Sequence, residues 1–125
     1  MNPDYKHRHH HVSFKSALNG ILLVIKMEIN MKIIIAASAL VAILGFIFKI
    51  TYYEWLIVVL VTGLVYFAEM VNTSIEAVTD LVTTEWKEDA KIAKDVASGM
   101  VLVSSIIALV IGLMIFAPKI KYNLF

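Results

Sequence analysis

The stretch Leu56–Val82, LIVVLVTGLVYFAEMVNTSIEAVTDLV, joins a long apolar run to four polar side chains at helical spacing. These are Glu69, Asn72, Glu76 and Asp80, at intervals of three, four and four residues. At about 100° per residue the four side chains fall within an arc of about 80° on one helix face. A charge at mid-membrane costs at least about 2.5 kcal/mol and normally faces a bundle interior or a wet cavity. This polar stripe is therefore the predicted functional site.

The composition predicts an integral membrane protein. Of the 125 residues 60% are hydrophobic, and the mean hydropathy is +0.82, well above the usual globular range. The formal net charge of +1 gives no reason to expect a nucleic-acid partner. The sequence has no cysteine, which excludes disulfides and thiolate chemistry.

Three apolar stretches predict three transmembrane helices, at about residues 33–49, 55–82 and 95–117. The last contains 21 consecutive uncharged residues, 96–116, and Pro118 is expected to end it. The fold class is thus an all-α membrane protein built as a helix bundle. We treat residues 13–125 as a single domain.

An amphipathic helix at about residues 13–31 is predicted to precede these spans and to lie along the membrane surface. Its polar face contains lysine and asparagine, and its other face is apolar except for Glu28. A carboxylate directed at the bundle requires a cation or a metal as its partner. Residues 1–12, MNPDYKHRHHHV, are predicted to form a disordered basic arm.

The distribution of basic residues predicts that the N-terminus is cytoplasmic, with eight Lys and Arg inside and three outside. The eight predicted inside are Lys6, Arg8, Lys15, Lys26, Lys32, Lys87, Lys91 and Lys94. With this orientation Glu69 lies in the inner third of the bilayer, Glu76 at the inner interface and Asp80 just beyond it. The stripe therefore extends from lipid to water, as expected where a membrane molecule meets a soluble one.

Each polar feature also has a simpler interpretation. Asn72 and its hydroxylated neighbours serve equally well to hold helices together. Asp80 alone fits a solvated interface residue, and Asp95 alone fits an N-cap of the third membrane helix. Glu69 and Glu76 together are harder to explain in this way, because the apolar spans contain no Lys or Arg to pair with them. Mg²⁺ held by Glu28 and Glu76 is the natural cation, although no standard phosphate-binding loop is present.

Several motifs resemble those of the small prokaryotic diacylglycerol kinases, a family that also includes undecaprenol kinases. The run 69–80, EMVNTSIEAVTD, is similar to the family signature E-x-x-N-[ST]-[AS]-I-E-x-x-x-D. The run 93–102, AKDVASGMVL, resembles A-K-D-x-x-[AS]-[AG]-x-V-L. The opening pattern of Phe14, Ala17 and Gly20 also fits, as does Glu28-x-Asn30, so the resemblance extends from about residue 14 to 116.

The resemblance implies a homotrimeric inner-membrane enzyme with three transmembrane helices and one surface helix per subunit. Such an enzyme transfers the γ-phosphate of Mg-ATP to the primary hydroxyl of a membrane lipid. With undecaprenol the product is undecaprenyl phosphate, and with diacylglycerol it is phosphatidic acid. The partners implied are therefore the lipid, ATP and further copies of the chain, which form composite sites. The stretch 91–99 looks closer to the undecaprenol-kinase members.

The resemblance also assigns roles to individual residues. Glu69 matches the general base and, with Ala17, the lipid-binding position, where some members have Ser instead of this Ala. Asn72 matches a residue that orients the reacting groups. Glu28 and Glu76 match the carboxylates that bind the metal and the ATP phosphates. The remaining nucleotide-binding positions are Asp80, Lys94 and Asp95.

Two other functions remain compatible with the sequence. A buried glutamate is also typical of a small proton- or cation-coupled transporter. A structural or assembly subunit would use the same stripe only for helix pairing. Phosphoryl transfer requires mainly positioning and charge neutralisation, which this short set of residues supplies.

Overall fold

A computed structural model describes residues 14–124, and all its regular structure there is helical. Its four helices are α1, Phe14–Met27; α2, Ile29–Ile47; α3, Tyr52–Val82; and α4, Glu88–Leu124. The last three are long and apolar enough to cross a membrane, which confirms the predicted all-α architecture with three spans. The predicted arm at 1–12 lies outside the described residues.

The amphipathic segment predicted at 13–31 is not one helix. The backbone of Glu28 is extended, with φ −93° and ψ 122°, and it separates α1 from α2. Its N–H still donates to the Val24 carbonyl at 2.9 Å, so the chain leaves α1 abruptly after a complete last turn. Residues 29–31 therefore begin the first membrane-spanning helix, four residues before the predicted start at 33. Helical periodicity continues through this position and gave no sign of the break.

A tight turn joins α2 to α3. The N–H of Ile50 donates to the Gly45 carbonyl at 3.0 Å, and that of Lys49 donates to Phe46 at 3.3 Å. These paired bonds form a Schellman motif, with Lys49 in the left-handed conformation at φ 48°. The first span consequently ends at Ile47 rather than at 49. Gly45 contacts the ring of Trp55, where an added Cβ would come within 2.7 Å of Cη2.

A capping box fixes the start of α3. The Thr51 N–H donates to Glu54 Oε2 at 2.6 Å, and the Glu54 N–H donates to Thr51 Oγ1 at 3.3 Å. These reciprocal bonds satisfy two backbone donors that a helix start would otherwise leave unpaired. Lys119 of α4 lies 3.1 Å from Glu54 Oε2, which joins the two helices at this end. As a result α3 begins at Tyr52, ahead of the predicted 55, and ends at Val82 as expected.

The fourth helix is longer at both ends than the predicted span 95–117. It begins at Glu88, because acidic residues in a first turn interact favourably with the helix dipole. Asp95 therefore lies inside α4, and the prediction that it caps this helix is wrong. The prediction that Pro118 ends the helix is also wrong, since α4 continues to Leu124. A proline removes one backbone donor, and the bonds on either side maintain the helix here.

Packing places α3 at the centre of the chain. It packs along α4 over most of its length and contacts α2 and α1 less extensively. An apolar core lies at the end of the bundle near the α2–α3 turn. Its buried members are Ile50, Val58, Ile115 and Phe116. Many other large apolar side chains are exposed, as expected for helices whose surroundings are lipid.

Candidate functional site: a carboxylate stripe leading to a charged hollow

Glu69 lies at the centre of the stripe and is the most deeply buried acidic side chain that residues 14–124 contain, at 1% exposure. Among the described residues, no group completes a hydrogen bond to either of its carboxylate oxygens. A buried polar atom in a native protein almost always has a partner. A carboxylate without one in this position is therefore expected to meet a ligand or a proton that the chain itself does not supply.

Two further carboxylates surround Glu69. The negative charges of Glu28 and Glu76 both act on its carboxylate, and the side-chain amide of Asn30 interacts with it as well. Glu28 lies at the break between α1 and α2, in extended backbone. The sequence predicted that Glu69 and Glu76 share a helix face and that Glu28 and Glu76 hold magnesium, and the structure places all three glutamates within electrostatic range. It did not predict the contact between Asn30 and Glu69.

A chain of hydrogen bonds joins α4 to this group. Asn72, which is 5% exposed, donates from Nδ2 to Glu76 Oε1 at 3.1 Å. Ser98 of α4 donates from Oγ to Asn72 Oδ1 at 3.4 Å. Because Ser98 occupies the oxygen of the amide, the Asn72 nitrogen is directed at Glu76. Sequence reasoning missed Ser98, although it follows Asp95 by three residues and so lies on the adjoining face of α4.

A second polar site lies where α3 ends and α4 begins. Lys94 Nζ is 2.5 Å from Asp80 Oδ1, and Lys91 Nζ is 3.2 Å from Asp95 Oδ2. These groups line a hollow of about 440 Å³. Its wall also includes Glu85, Trp86 and Lys87, so three acidic and three basic side chains line what we call the charged hollow. The structure thus brings together the three residues Asp80, Lys94 and Asp95, as predicted from the sequence, although Asp95 lies within α4 and does not cap it.

The ion pairs in this charged hollow are weakly held. The Asp80 side chain is 60% exposed and that of Lys94 is 38% exposed. Ion pairs with this exposure contribute at most about 1 kcal/mol to stability. Lys94 can therefore exchange Asp80 for a stronger anion at small cost in free energy.

Ala17 lies on α1, where nearly every side chain is exposed and Val24 is buried. The side chain of Ala17 is itself exposed. Its assignment as a lipid-binding position remains a prediction.

The carboxylates around Glu69 suit a magnesium ion that takes some of its ligands from water and substrate. They suit less well a metal ion that is bound only by protein side chains. Within the described residues, no three acidic or histidine side chains are grouped closely enough to hold a metal alone. Magnesium usually binds one or two carboxylates and takes its other ligands from water and substrate phosphates. Glu28 and Glu76 have the hard oxygen donors required, and Glu76 is additionally oriented by Asn72.

The chain thus combines three apolar helices long enough to cross a membrane with a carboxylate stripe that leads to a charged hollow. The family model described as prokaryotic diacylglycerol kinase matches residues 15–116. The chain therefore belongs to the prokaryotic diacylglycerol kinase family, which confirms the resemblance recognised in the sequence. It is a multi-pass membrane lipid kinase, and ATP is its co-substrate.

Two curated relatives are similar over most of this chain. An undecaprenol kinase of Bacillus subtilis (strain 168) is 40% identical over 108 residues, which cover 86% of this chain and 88% of the relative. A diacylglycerol kinase of Synechocystis sp. (strain ATCC 27184 / PCC 6803 / Kazusa) is 31% identical over 110 residues. That match covers 87% of this chain and 63% of the relative, so the cyanobacterial protein is considerably longer.

Proposed function

We propose that this lipid kinase transfers the γ-phosphate of Mg-ATP to the primary hydroxyl of undecaprenol, giving undecaprenyl phosphate and ADP. The observation that carries the proposal is Glu69, a buried carboxylate without a hydrogen-bond partner among residues 14–124, on a stripe that extends towards water. The preference for undecaprenol over diacylglycerol rests on the greater similarity to the undecaprenol kinase, at 40% against 31% identity.

In this proposal Glu69 is the general base. Its free carboxylate oxygen accepts the proton of the lipid hydroxyl as the hydroxyl oxygen bonds to the γ-phosphorus. The bond between the γ-phosphorus and the β,γ-bridging oxygen breaks, and ADP leaves with the electron pair. A side chain that is hydrogen-bonded elsewhere would be a poor acceptor, and Glu69 has no such competing bond within the described residues.

Glu28 and Glu76 are the residues that would hold magnesium. When bound, the ion would neutralise charge on the ATP phosphates. The bond from Asn72 to Glu76 Oε1 leaves Oε2 of Glu76 as the oxygen with free capacity. Asn72 would thereby orient one of the ligands, and Ser98 would fix the direction of the Asn72 amide.

The charged hollow is the proposed binding site for the nucleotide. It lies at the membrane-surface end of the stripe, where a charged soluble molecule can enter without crossing hydrocarbon. Lys94 supplies the positive charge for a phosphate. Asp80 and Asp95 are acceptors at the rim, suited to hydroxyl or amino groups of the nucleotide.

We further propose that the active form is a homotrimer with composite sites, α1 lying along the membrane surface and the N-terminus in the cytoplasm. Three helices bury few side chains among themselves, and many apolar side chains on all three are exposed. A site that encloses both a lipid and ATP requires more walls than this chain supplies. Ala17 on the exposed α1 would then contact the lipid near a neighbouring subunit.

The test is transfer of phosphate from radiolabelled ATP in detergent micelles that contain Mg²⁺. Undecaprenol and diacylglycerol are offered separately and then in competition. We expect a radiolabelled lipid with undecaprenol and a slower reaction with diacylglycerol. A preference for diacylglycerol would overturn the proposed acceptor. No product with either lipid, from folded protein, would overturn the proposed reaction and favour a transporter, which pH-gradient-driven flux in proteoliposomes would then test.

A further inference from the structure

A hydrogen-bond chain inside the membrane links α2 to α3 at some distance from the charged groups. Tyr66 of α3 donates from its hydroxyl to Ser38 Oγ of α2 at 3.1 Å. Ser38 in turn donates from Oγ to the Ile34 carbonyl at 2.7 Å. Each hydroxyl has its donor satisfied, as required where no water can replace a lost partner.

The same two helices contact each other again at Glu69. On α2, residues 30, 34 and 38 are spaced four apart and share one helix face. The first of them, Asn30, interacts with Glu69, and the last, Ser38, binds Tyr66. On α3, Tyr66 precedes Glu69 by three residues and so lies on the same side. Because α2 and α3 are antiparallel neighbours, both contacts belong to one seam between them.

The contacts along this seam require one specific axial alignment of α2 on α3. Apolar helix surfaces in lipid have no hydrophobic driving force for one alignment over another. A hydroxyl bound to a particular serine loses its partner when the helix slides by even part of a turn. Donors and acceptors left unpaired in hydrocarbon each cost free energy, so the chain from Tyr66 to Ile34 favours one axial position of α2.

We propose that Tyr66 and Ser38 are positioning residues for phosphoryl transfer, which set the axial register of α2 on α3 and so hold Glu28 and Asn30 at Glu69. The inference rests on the function proposed above for Glu69 and Glu28. The two hydroxyls touch neither substrate nor metal in this assignment. Their effect passes through α2, whose first residue follows Glu28 directly.

The kinetic test uses Tyr66→Phe and Ser38→Ala, singly and together. The matched control is Tyr53→Phe, the same chemical change at a side chain that is 75% exposed. We expect each single variant to lower kcat about tenfold, a fraction of the roughly hundredfold loss that a 1 Å misplacement can cause. We also expect the Mg²⁺ concentration for half-maximal rate to rise, because Glu28 is displaced, while KM for ATP stays unchanged.

The double variant tests whether the two hydroxyls act as one unit. If they do, it is no slower than the worse single variant, whereas independent roles give multiplied losses. Ser38→Thr retains the hydroxyl and is expected to restore most of the activity. Unchanged kinetics in Tyr66→Phe, or losses that multiply in the double variant, would overturn the proposal.

A distance measurement separates this proposal from the proposed reaction. The sequence contains no cysteine, so spin labels can be placed specifically at Leu40→Cys of α2 and Leu64→Cys of α3, both exposed positions. Tyr66→Phe is expected to broaden or shift the distance distribution between the labels, and Tyr53→Phe is not. An unchanged distribution would refute the register claim even in active enzyme. A changed one would support it even if the lipid acceptor is wrong.

Discussion

Replacement of Glu69 by glutamine is expected to lower the catalytic rate without lowering the stability of the protein. The two side chains have nearly the same shape, and only the charge and one acceptor oxygen are lost. Since general base catalysis typically contributes about 10²–10⁴-fold, kcat should fall by that factor, or about 2.7–5.5 kcal/mol in activation free energy. Stability should not fall, because neither oxygen accepts a hydrogen bond of standard geometry from a described residue, and the Asn30 amide can still interact with the oxygen that glutamine keeps.

The opposite effect on stability is in fact expected. Burial of an unpaired carboxylate costs several kcal/mol, and a neutral amide also removes the repulsion from Glu28 and Glu76. The thermal midpoint of Glu69→Gln should therefore equal or exceed that of the wild type. The assay pairs radiolabel transfer with thermal unfolding on the same detergent preparation. Glu88→Gln, at an exposed position outside the charged hollow, is the control.

Two results would refute this reasoning. Activity of Glu69→Gln within about threefold of the wild type would mean that the buried carboxylate is not the base. A lower midpoint would mean that a partner from outside residues 14–124, such as a second subunit, donates to Glu69 in the resting protein. The first result would move the search for the base to Glu76.

Three further predictions follow from the same geometry. Lys94→Met should raise KM for ATP about tenfold or more, since a hydrogen bond to a charged group contributes about 1.5–3 kcal/mol, and ATP titrations of the initial rate measure it. Ser98→Ala should lower kcat about two- to tenfold by freeing the Asn72 amide, with unchanged KM for ATP in the same titrations. Gly45→Ala should lower the thermal midpoint, because its Cβ would lie 2.7 Å from the Trp55 ring and overpacking costs about 1–3 kcal/mol, while activity per folded molecule stays constant.

The sequence predicted the number and class of the helices because hydropathy and helical periodicity are summed over many residues. It predicted the grouping of Glu69, Asn72 and Glu76 for the same reason, since side chains three or four apart on one helix must share a face. Their grouping with Glu28 was anticipated only from its position on an otherwise apolar face. These predictions depend on regular helical geometry, so an error of a few residues in a predicted helix end changes them little.

The errors lie where a single residue decides the geometry. Glu28 adopts an extended backbone in the middle of a sequence with continuous helical periodicity, and no glycine or proline marks the place. Pro118 has the opposite effect, since a residue that usually ends helices lies within one. The start of α4 is marked by Glu88 and Asp89 in its first turn, whereas the sequence predicted the membrane helix only from about residue 95.

Contacts between helices were the least predictable part of the site. The bonds from Tyr66 to Ser38 and from Ser98 to Asn72 join residues 28 and 26 positions apart. Nothing in the local spacing of either helix specifies the rotation and axial shift of its neighbour. Those two quantities depend on packing over the entire helix face.

Because α3 is longer than the hydrocarbon layer is thick, the thickness of the bilayer determines which residues of α3 reach water. Its 31 residues extend about 46 Å at 1.5 Å per residue, whereas the hydrocarbon layer is about 30 Å thick. The capping box and the aromatic residues beside it anchor the first turn at one interface. The excess of about 16 Å therefore projects from the other face. Longer acyl chains shift the water boundary along α3 towards Asp80, and shorter ones shift it towards Glu69.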